Sequence, residues 1–278
     1  MTERRLLLVW VASLALAVAG FQVLLRLDGP RLALLAEAIP AAYEKQGRPD
    51  VVFIGSSLVG AAIPPGDVQS LTLTGMESSG RLRLDGATQS DLLTALSATL
   101  ALQPKVVFFD ASPLIFGFSR TPIRQVTSLL RATDYARRNF DGLLGVGGAK
   151  FGNLGSESDW LARRLPDIAT HQPEYRLILV PLDDLAWLQQ LVARAKSQGI
   201  RIVLFDPPRS ESAAAHLQAG VQRQAVRAAR DLATLLEVEI FQTANAWPNA
   251  LFADSAHLNL AGRQRILTEL SIWWDGRK

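Results

Sequence analysis

Two short segments carry residues able to perform acyl transfer: Gly55-Ser56-Ser57-Leu58 and, about two hundred residues later, Asp254-Ser255-Ala256-His257. A serine hydroxyl is a weak nucleophile at neutral pH. It needs a base to take its proton and an acid group to orient that base. The first segment offers the hydroxyl, with Ser57 the expected nucleophile and Ser56 the alternative beside it; the second offers an imidazole and a carboxylate. If residues 254 to 257 form one helical turn, positions i and i+3 share a face. The Asp254 carboxylate then reaches the His257 ring and fixes the tautomer whose other nitrogen faces Ser57. Taken singly, each residue also fits an ordinary role: Ser57 as a turn serine, Asp254 as the N-cap of the last helix, His257 as a surface residue. The combination and its order carry the chemical reading.

Positioning these groups is the task of the surrounding elements. Strand-like apolar runs recur at Val51–Ile54, Lys105–Phe109, Arg201–Phe205 and Val238–Phe241. Helical patterns separate them at Gln89–Leu102, Leu182–Gln198, Ala213–Leu236 and Gly262–Trp274. Strands of four to six residues alternating with helices predict a parallel sheet covered on both faces, with its active site at the carboxyl ends of the strands. Both Ser57 and the Asp254–His257 pair follow strands, as that placement requires. Residues 66 to 86 read as a short hairpin or a single second strand, with Glu77-Ser78-Ser79-Gly80 as a turn. Pro113 to Pro181 is too long for a simple crossover and is rich in glycine, with helices expected near Thr121–Phe140 and Ser156–Ile168. Insertions of this kind are usually lids or partner-contacting surfaces.

On these motifs the chain resembles the SGNH/GDSL hydrolase superfamily over roughly residues 50 to 275, the insertion excepted. The family's first block is Gly-Asp-Ser-Leu, which Gly55-Ser56-Ser57-Leu58 matches with Ser56 in place of the aspartate. Its last block, Asp-x-x-His, is matched by Asp254 and His257. The resemblance implies a three-layer, flavodoxin-like α/β fold and a Ser57–His257–Asp254 triad. It also implies an oxyanion hole formed by the backbone N–H groups of Ser57 and Gly86. The third block, Gly-x-Asn-Asp, is absent, because the corresponding strand runs into Phe109-Asp110-Ala111-Ser112-Pro113. Either Ser112 replaces the asparagine donor or the hole has two donors, and one such donor is worth roughly 3 kcal/mol. This departure resembles the divergent membrane-anchored branch that includes exopolysaccharide O-acetyltransfer proteins. The resemblance therefore implies an O-acetyltransferase or acetylesterase acting on a cell-envelope polysaccharide, beside an integral-membrane acyltransferase. Rival readings are a lipase-like or thioesterase-like hydrolase and a non-catalytic subunit of a polysaccharide-modification complex.

Composition narrows the classes. With 278 residues, 49% of them hydrophobic, the chain can bury one substantial core. The net charge of +3 is small and the arginines are scattered without interleaved aromatics, which argues against nucleic-acid binding. The absence of cysteine excludes disulfides and thiolate metal sites. Three histidines with no His/Asp cluster argue against a catalytic metal, and no cofactor is expected. His171 and His216 read as surface residues, and Gly145-Val146-Gly147-Gly148 lacks the lysine and hydroxyl of a phosphate loop.

Arg4 and Arg5 precede an uncharged apolar run, Leu6 to Leu25, that Arg26 closes. Twenty helical residues span about 30 Å, a bilayer's hydrocarbon thickness, and the leading arginines favour an N-in orientation. Residues 1–26 are thus expected to anchor a periplasmic domain in a bacterial inner membrane. A cleaved signal peptide ending at Ala17-Val18-Ala19 is the rival. A connector follows over 27–49, with a short helix at Arg31–Ala38 interrupted by Pro40, and then the α/β domain over 50–278 with its insertion at about 113–181. Asp206-Pro207-Pro208-Arg209 reads as a rigid turn or, through Arg209, as a substrate contact. Arg223, Arg227 and Arg230 share a helix face that is either solvated or meets an anionic partner. Trp273 and Trp274 read as core aromatics.

Overall fold

The structure is a computed structural model that describes residues 10, 13–16, 32–33, 35–41, 48–64, 73–84, 87–119, 176–179, 182, 184–216, 219–243, 246–254 and 256–277. The expected helices within 113–181, together with His171 and the Gly145–Gly148 segment, lie outside these residues. So does most of the apolar run at 6–25. Among the described residues no helix is long and apolar enough to cross a membrane.

Each apolar run expected as a strand is one. The strands are β1 (Val51–Gly55), β2 (Ser79–Arg83), β3 (Val106–Asp110), β6 (Arg201–Asp206) and β8 (Glu239–Gln242). They form one sheet in the order β2-β1-β3-β6-β8, and every neighbouring pair is parallel. This is the flavodoxin-like order, and all the strands end at the same edge. Among its described residues the segment at 66 to 86 contributes one strand of this sheet, β2. Ser79 and Gly80, expected in a turn, pair with Val51 and Val52. The bend instead falls at Gly75, whose φ of 85° suits glycine.

Alternation along the strands sends side chains to two faces. Val52, Ile54, Val107, Phe109, Ile202 and Leu204 join one core with α2 (Gln89–Leu100), α4 (Leu185–Ser197) and α6 (Ala219–Leu236). Val51, Phe53, Val106, Phe108, Val203, Phe205 and Phe241 join the other with α1 (Ser57–Ala62) and α7 (Leu260–Asp275). Three layers result. The second face is largely aromatic: Phe53 stacks on Phe108 at 4.6 Å, and Phe205 on Phe241 at 5.5 Å. Trp273 packs on Phe241 at 5.6 Å, while Trp274 is buried and donates its indole N–H to the Thr74 carbonyl at 3.1 Å. Both tryptophans belong to this core.

Three further features differ from the sequence reading. The helix expected over Ala213–Leu236 falls into two elements, α5 (Glu211–His216) and α6, and just ahead of them β7 (Arg209–Ser210) pairs with β9 (Ala246–Trp247). The insertion springs from an antiparallel ribbon of β4 (Phe116–Ser119) and β5 (Arg176–Leu179), reached through the short helix α3 (Ser112–Ile115). Helical backbone in the connector continues to Ala41, past Pro40, and buries Leu35, Ala38 and Ile39; Leu35 and Ile39 join the first core. That segment is packed on the domain.

Helix α7 can lie close to the 3₁₀ turn Asn249–Leu251 only because residue 262 is glycine. A Cβ there would collide with the Leu251 carbonyl oxygen and come within 2.7 Å of Leu258. Gly262→Ala is expected to cost about 1–3 kcal/mol. Thermal unfolding monitored by circular dichroism, set against Gly276→Ala, where the nearest atom is the Ile272 oxygen at 3.5 Å, checks this.

Candidate active site

The buried strand β1 ends at Gly55, where any Cβ would strike the Val59 side chain and approach the Asp110 Cβ to 2.6 Å. Ser56 then takes extended backbone and caps α1, its hydroxyl oxygen accepting the Leu58 N–H at 3.2 Å. Ser57 is the first residue of that helix. Strand, glycine and capping serine together fix where the Ser57 side chain leaves the backbone.

At the other end of the chain, Asp254–His257 occupies a tight loop, not the helical turn the spacing suggested. Phe252 and Leu258 form an antiparallel bridge, and the Ala253 N–H donates to the His257 carbonyl at 2.8 Å. Asp254 Oδ1 accepts the backbone N–H groups of Ala256 at 2.9 Å and His257 at 2.8 Å. Asn259, and not Asp254, caps the last helix: its Oδ1 accepts the Gly262 N–H at 3.1 Å. Its Nδ2 donates to the carbonyls of Ala250 at 2.8 Å and Phe252 at 3.3 Å. One asparagine thus ties the loop, the 3₁₀ turn and the helix together.

These two ends meet. His257 Nε2 lies 2.8 Å from the Ser57 hydroxyl oxygen, and His257 Nδ1 lies 2.9 and 2.8 Å from the two Asp254 carboxylate oxygens. With an acceptor-only carboxylate on Nδ1, that nitrogen carries the proton, and Nε2 accepts from the Ser57 hydroxyl. Burial acts to raise the Asp254 pKa, but the hydrogen bond and charge of His257, with two backbone N–H groups, outweigh it and hold the carboxyl below its ordinary value. Asp254 is therefore held as an anion against the His257 ring.

The helices bearing these groups are joined directly. Arg263 on α7 is buried and donates from Nε to the Ala61 carbonyl at 2.8 Å and from Nη2 to the Gly60 carbonyl at 3.0 Å. Arg81 on β2 donates to the Gly60 and Ile63 carbonyls at 2.8 and 2.7 Å. Two guanidinium groups thus satisfy carbonyls that a short helix leaves unpaired at its C-terminus. Neither arginine stood out in the sequence, since both signals are single charges inside otherwise regular elements.

The other expected site residues fare differently. Ser56 is engaged as a cap and donates its hydroxyl proton to Asp110 Oδ2 at 2.7 Å, so that it is Ser57, and not Ser56, that meets His257. Gly86 lies outside the described residues. No hydrogen bond engages the Ser57 backbone N–H among the described residues. Ser112 is buried beside Asp110, and its backbone N–H donates to Asp110 Oδ1 at 2.9 Å. Arg209 lies 3.6 Å from Asp206 and 4.5 Å over the Phe116 ring, with 12% of its side chain exposed. Arg227 and Arg230 are exposed, and Arg230 donates to Gln242 at 2.8 Å. Nothing is described of the Arg223 or His216 side chains. Among the described residues no cluster of His, Asp or Glu is built to hold a metal.

Asp110 was missed by the motif reading. It ends β3, is fully buried, and accepts the Ser56 N–H at 2.9 Å as well as its hydroxyl. Burial dominates and raises its pKa despite these hydrogen bonds. A carboxylate closing a wholly apolar strand was the one available signal.

Comparison with known proteins adds little to this geometry. No protein-family model matches the chain, and no curated protein matches it. Among solved structures, a crystal structure of a "putative acylhydrolase" from Bacteroides fragilis superposes with a TM-score of 0.42 at 14% identity, over 84% of this chain and 94% of that one.

Two outcomes are expected here. Arg263→Met removes the donor to the Ala61 carbonyl and one of the two donors to that of Gly60, and should cost about 2 kcal/mol, a fall in melting temperature on the order of 5 °C. For Asp110, the native state binds its proton more tightly than the unfolded chain does. Its contribution is therefore lost as pH rises from the unfolded value of about 3.9 through the raised native value. Melting temperature against pH should fall more steeply over that window in the wild type than in Asp110→Asn, as scanning calorimetry would measure.

Proposed function

We propose that this protein is a serine acyl-transfer enzyme of the SGNH type, held at the outer face of a bacterial inner membrane. In this reading it moves an acyl group, acetyl in the simplest case, onto or off a hydroxyl of a cell-envelope or exopolysaccharide. The observation that carries the proposal is the continuous run of contacts from the Ser57 hydroxyl through His257 to Asp254, each 2.9 Å or shorter.

The chemistry follows from those contacts. Ser57 Oγ attacks the acyl carbonyl while its proton passes to His257 Nε2. The carbonyl oxygen becomes an oxyanion, for which the Ser57 backbone N–H is an unengaged donor. Collapse expels the alcohol, which takes the proton from His257, and leaves the acyl group on Ser57. Water or an acceptor sugar hydroxyl then attacks the acyl carbon and gives its proton to His257, which passes it to Ser57 Oγ as the bond to the acyl group breaks. Asp254 stays ionised throughout and stabilises the imidazolium. Water as acceptor makes the protein an esterase; a sugar hydroxyl makes it an O-acyltransferase.

Membrane attachment is supported by the uncharged run from Leu6 to Leu25. Within it Trp10, Leu14 and Leu16 lie in helical backbone with 69%, 67% and 74% of their surfaces exposed. Large apolar side chains left uncovered on a helix call for an apolar partner, and a bilayer is the simplest one. A tethered enzyme works on what the envelope presents, which favours a polymer over a diffusing metabolite and leaves room for an integral-membrane acyl donor alongside.

The test uses the full chain in mild detergent with p-nitrophenyl acetate, an acetylated polysaccharide and a fluorophosphonate probe. Ser57→Ala and His257→Ala should each lower ester turnover by up to about 10⁶, to the level of the uncatalysed background. Mass spectrometry should place the phosphonyl adduct on Ser57. A probe that labels Ser57→Ala as well as wild type would remove the proposal.

A further inference from the structure

We infer that Asp110 is a positioning residue for the nucleophile, acting through Ser56 to hold the turn that presents Ser57. This inference rests on the acyl-transfer reading above. It assigns a role to a residue that touches none of the reacting atoms.

The geometry is specific. Asp110 closes β3, the strand beside β1, with Phe109 in register with Ile54. Its Cβ comes so close to Gly55 that no side chain fits at that position. One carboxylate oxygen accepts both the N–H and the O–H of Ser56, at 2.9 and 2.7 Å. The other accepts the N–H of Ser112 at 2.9 Å. Because its proton is committed to Asp110, the Ser56 hydroxyl presents a lone pair to the Leu58 N–H and caps α1. The carboxylate therefore sets Ser56 at two atoms, and Ser56 sets the first turn of the helix that begins with Ser57.

The same contacts sort the donors around the site. Asp110 engages the N–H groups of Ser56 and Ser112, while that of Ser57 remains unengaged among the described residues. Asp110 therefore leaves the Ser57 N–H available to an oxyanion forming beside it. A serine can cap a helix without any buried charge behind it. Taking a carboxylate out of water is costly even when it is hydrogen-bonded. The capping role alone does not account for the acid; rigid placement of the nucleophile does, since a displacement of about 1 Å at a reacting atom costs about 10²-fold in rate.

Steady-state kinetics of the full chain on p-nitrophenyl acetate test this with Ser56→Ala, Asp110→Asn and the double variant. Fluorophosphonate labelling rates and melting temperatures are measured on the same samples. The expected result is a fall in kcat and labelling rate of about 10- to 100-fold with KM within about threefold. The double variant should be no slower than the slower single one, because the two side chains act as one unit. Ser56→Thr, which restores the hydroxyl, should recover most of the rate. Should Asp110→Asn fail to fold, the Ser56→Ala and Ser56→Thr pair decides alone. Wild-type kcat in Ser56→Ala, losses that multiply in the double variant, or a loss tracking only the unfolded fraction would overturn the inference. If the wild type shows no Ser57-dependent labelling, the acyl-transfer reading falls and takes this one with it. If it labels normally and the variants do too, only this inference falls.

Discussion

The seating of the last helix on the short helix after β1 is the constraint from which the site follows. Ser57 and His257 are separated by 200 positions, yet their side chains are 2.8 Å apart. Bringing two such distant segments together by their own contact would be opposed by the entropy of closing a very long loop. The sheet meets that cost instead, because α1 and α7 both pack on the aromatic face formed by Phe53, Phe108, Phe205 and Phe241. Arg263 then joins the two helices through the Gly60 and Ala61 carbonyls. The hydroxyl–imidazole contact is a consequence of that packing.

The ends of β1, β3 and β6 show how the largely apolar centre of the sheet comes to carry polar groups at one edge. Along these strands, alternation gives both faces to the core. The change of character falls at the carboxyl ends, at Gly55, Asp110 and Asp206. Gly55 admits Asp110 by having no side chain, and Asp110 organises Ser56. Asp206 accepts from Gln242 at 2.7 Å on the next strand, and Gln242 in turn accepts from Arg230. A rigid scaffold with its polar groups confined to one edge positions side chains more closely than loops alone could.

Two carboxylates near the nucleophile illustrate how surroundings assign roles. Both are drawn upward by burial. At Asp254 the histidine beside it and two backbone N–H groups outweigh burial, and the group is held as an anion ready to face a positive imidazole. At Asp110, fully buried and paired only with neutral donors, burial wins. Environments that push like groups in opposite directions commonly mark a division of labour within a site.

How much of this was legible in the chain itself can be seen residue by residue. Val51–Ile54 and the three other apolar runs announced the central strands, because hydrophobic burial is written locally in side-chain type. Gly55-Ser56-Ser57 and Asp254–His257 announced the side chains that meet, because a hydroxyl, an imidazole and a carboxylate come from few residue types. The Arg263 link, the Asp110–Ser56 pair, the ribbon of β4 and β5 and the break between α5 and α6 were not legible. Each depends on a partner far away in the chain, and neither periodicity nor spacing records which distant segments become neighbours. The sequence by itself determined the elements and the chemistry they could support. Only the tertiary structure decided that the serine, the histidine and the aspartate share one site, because that depends on two helices packing against the same aromatic face.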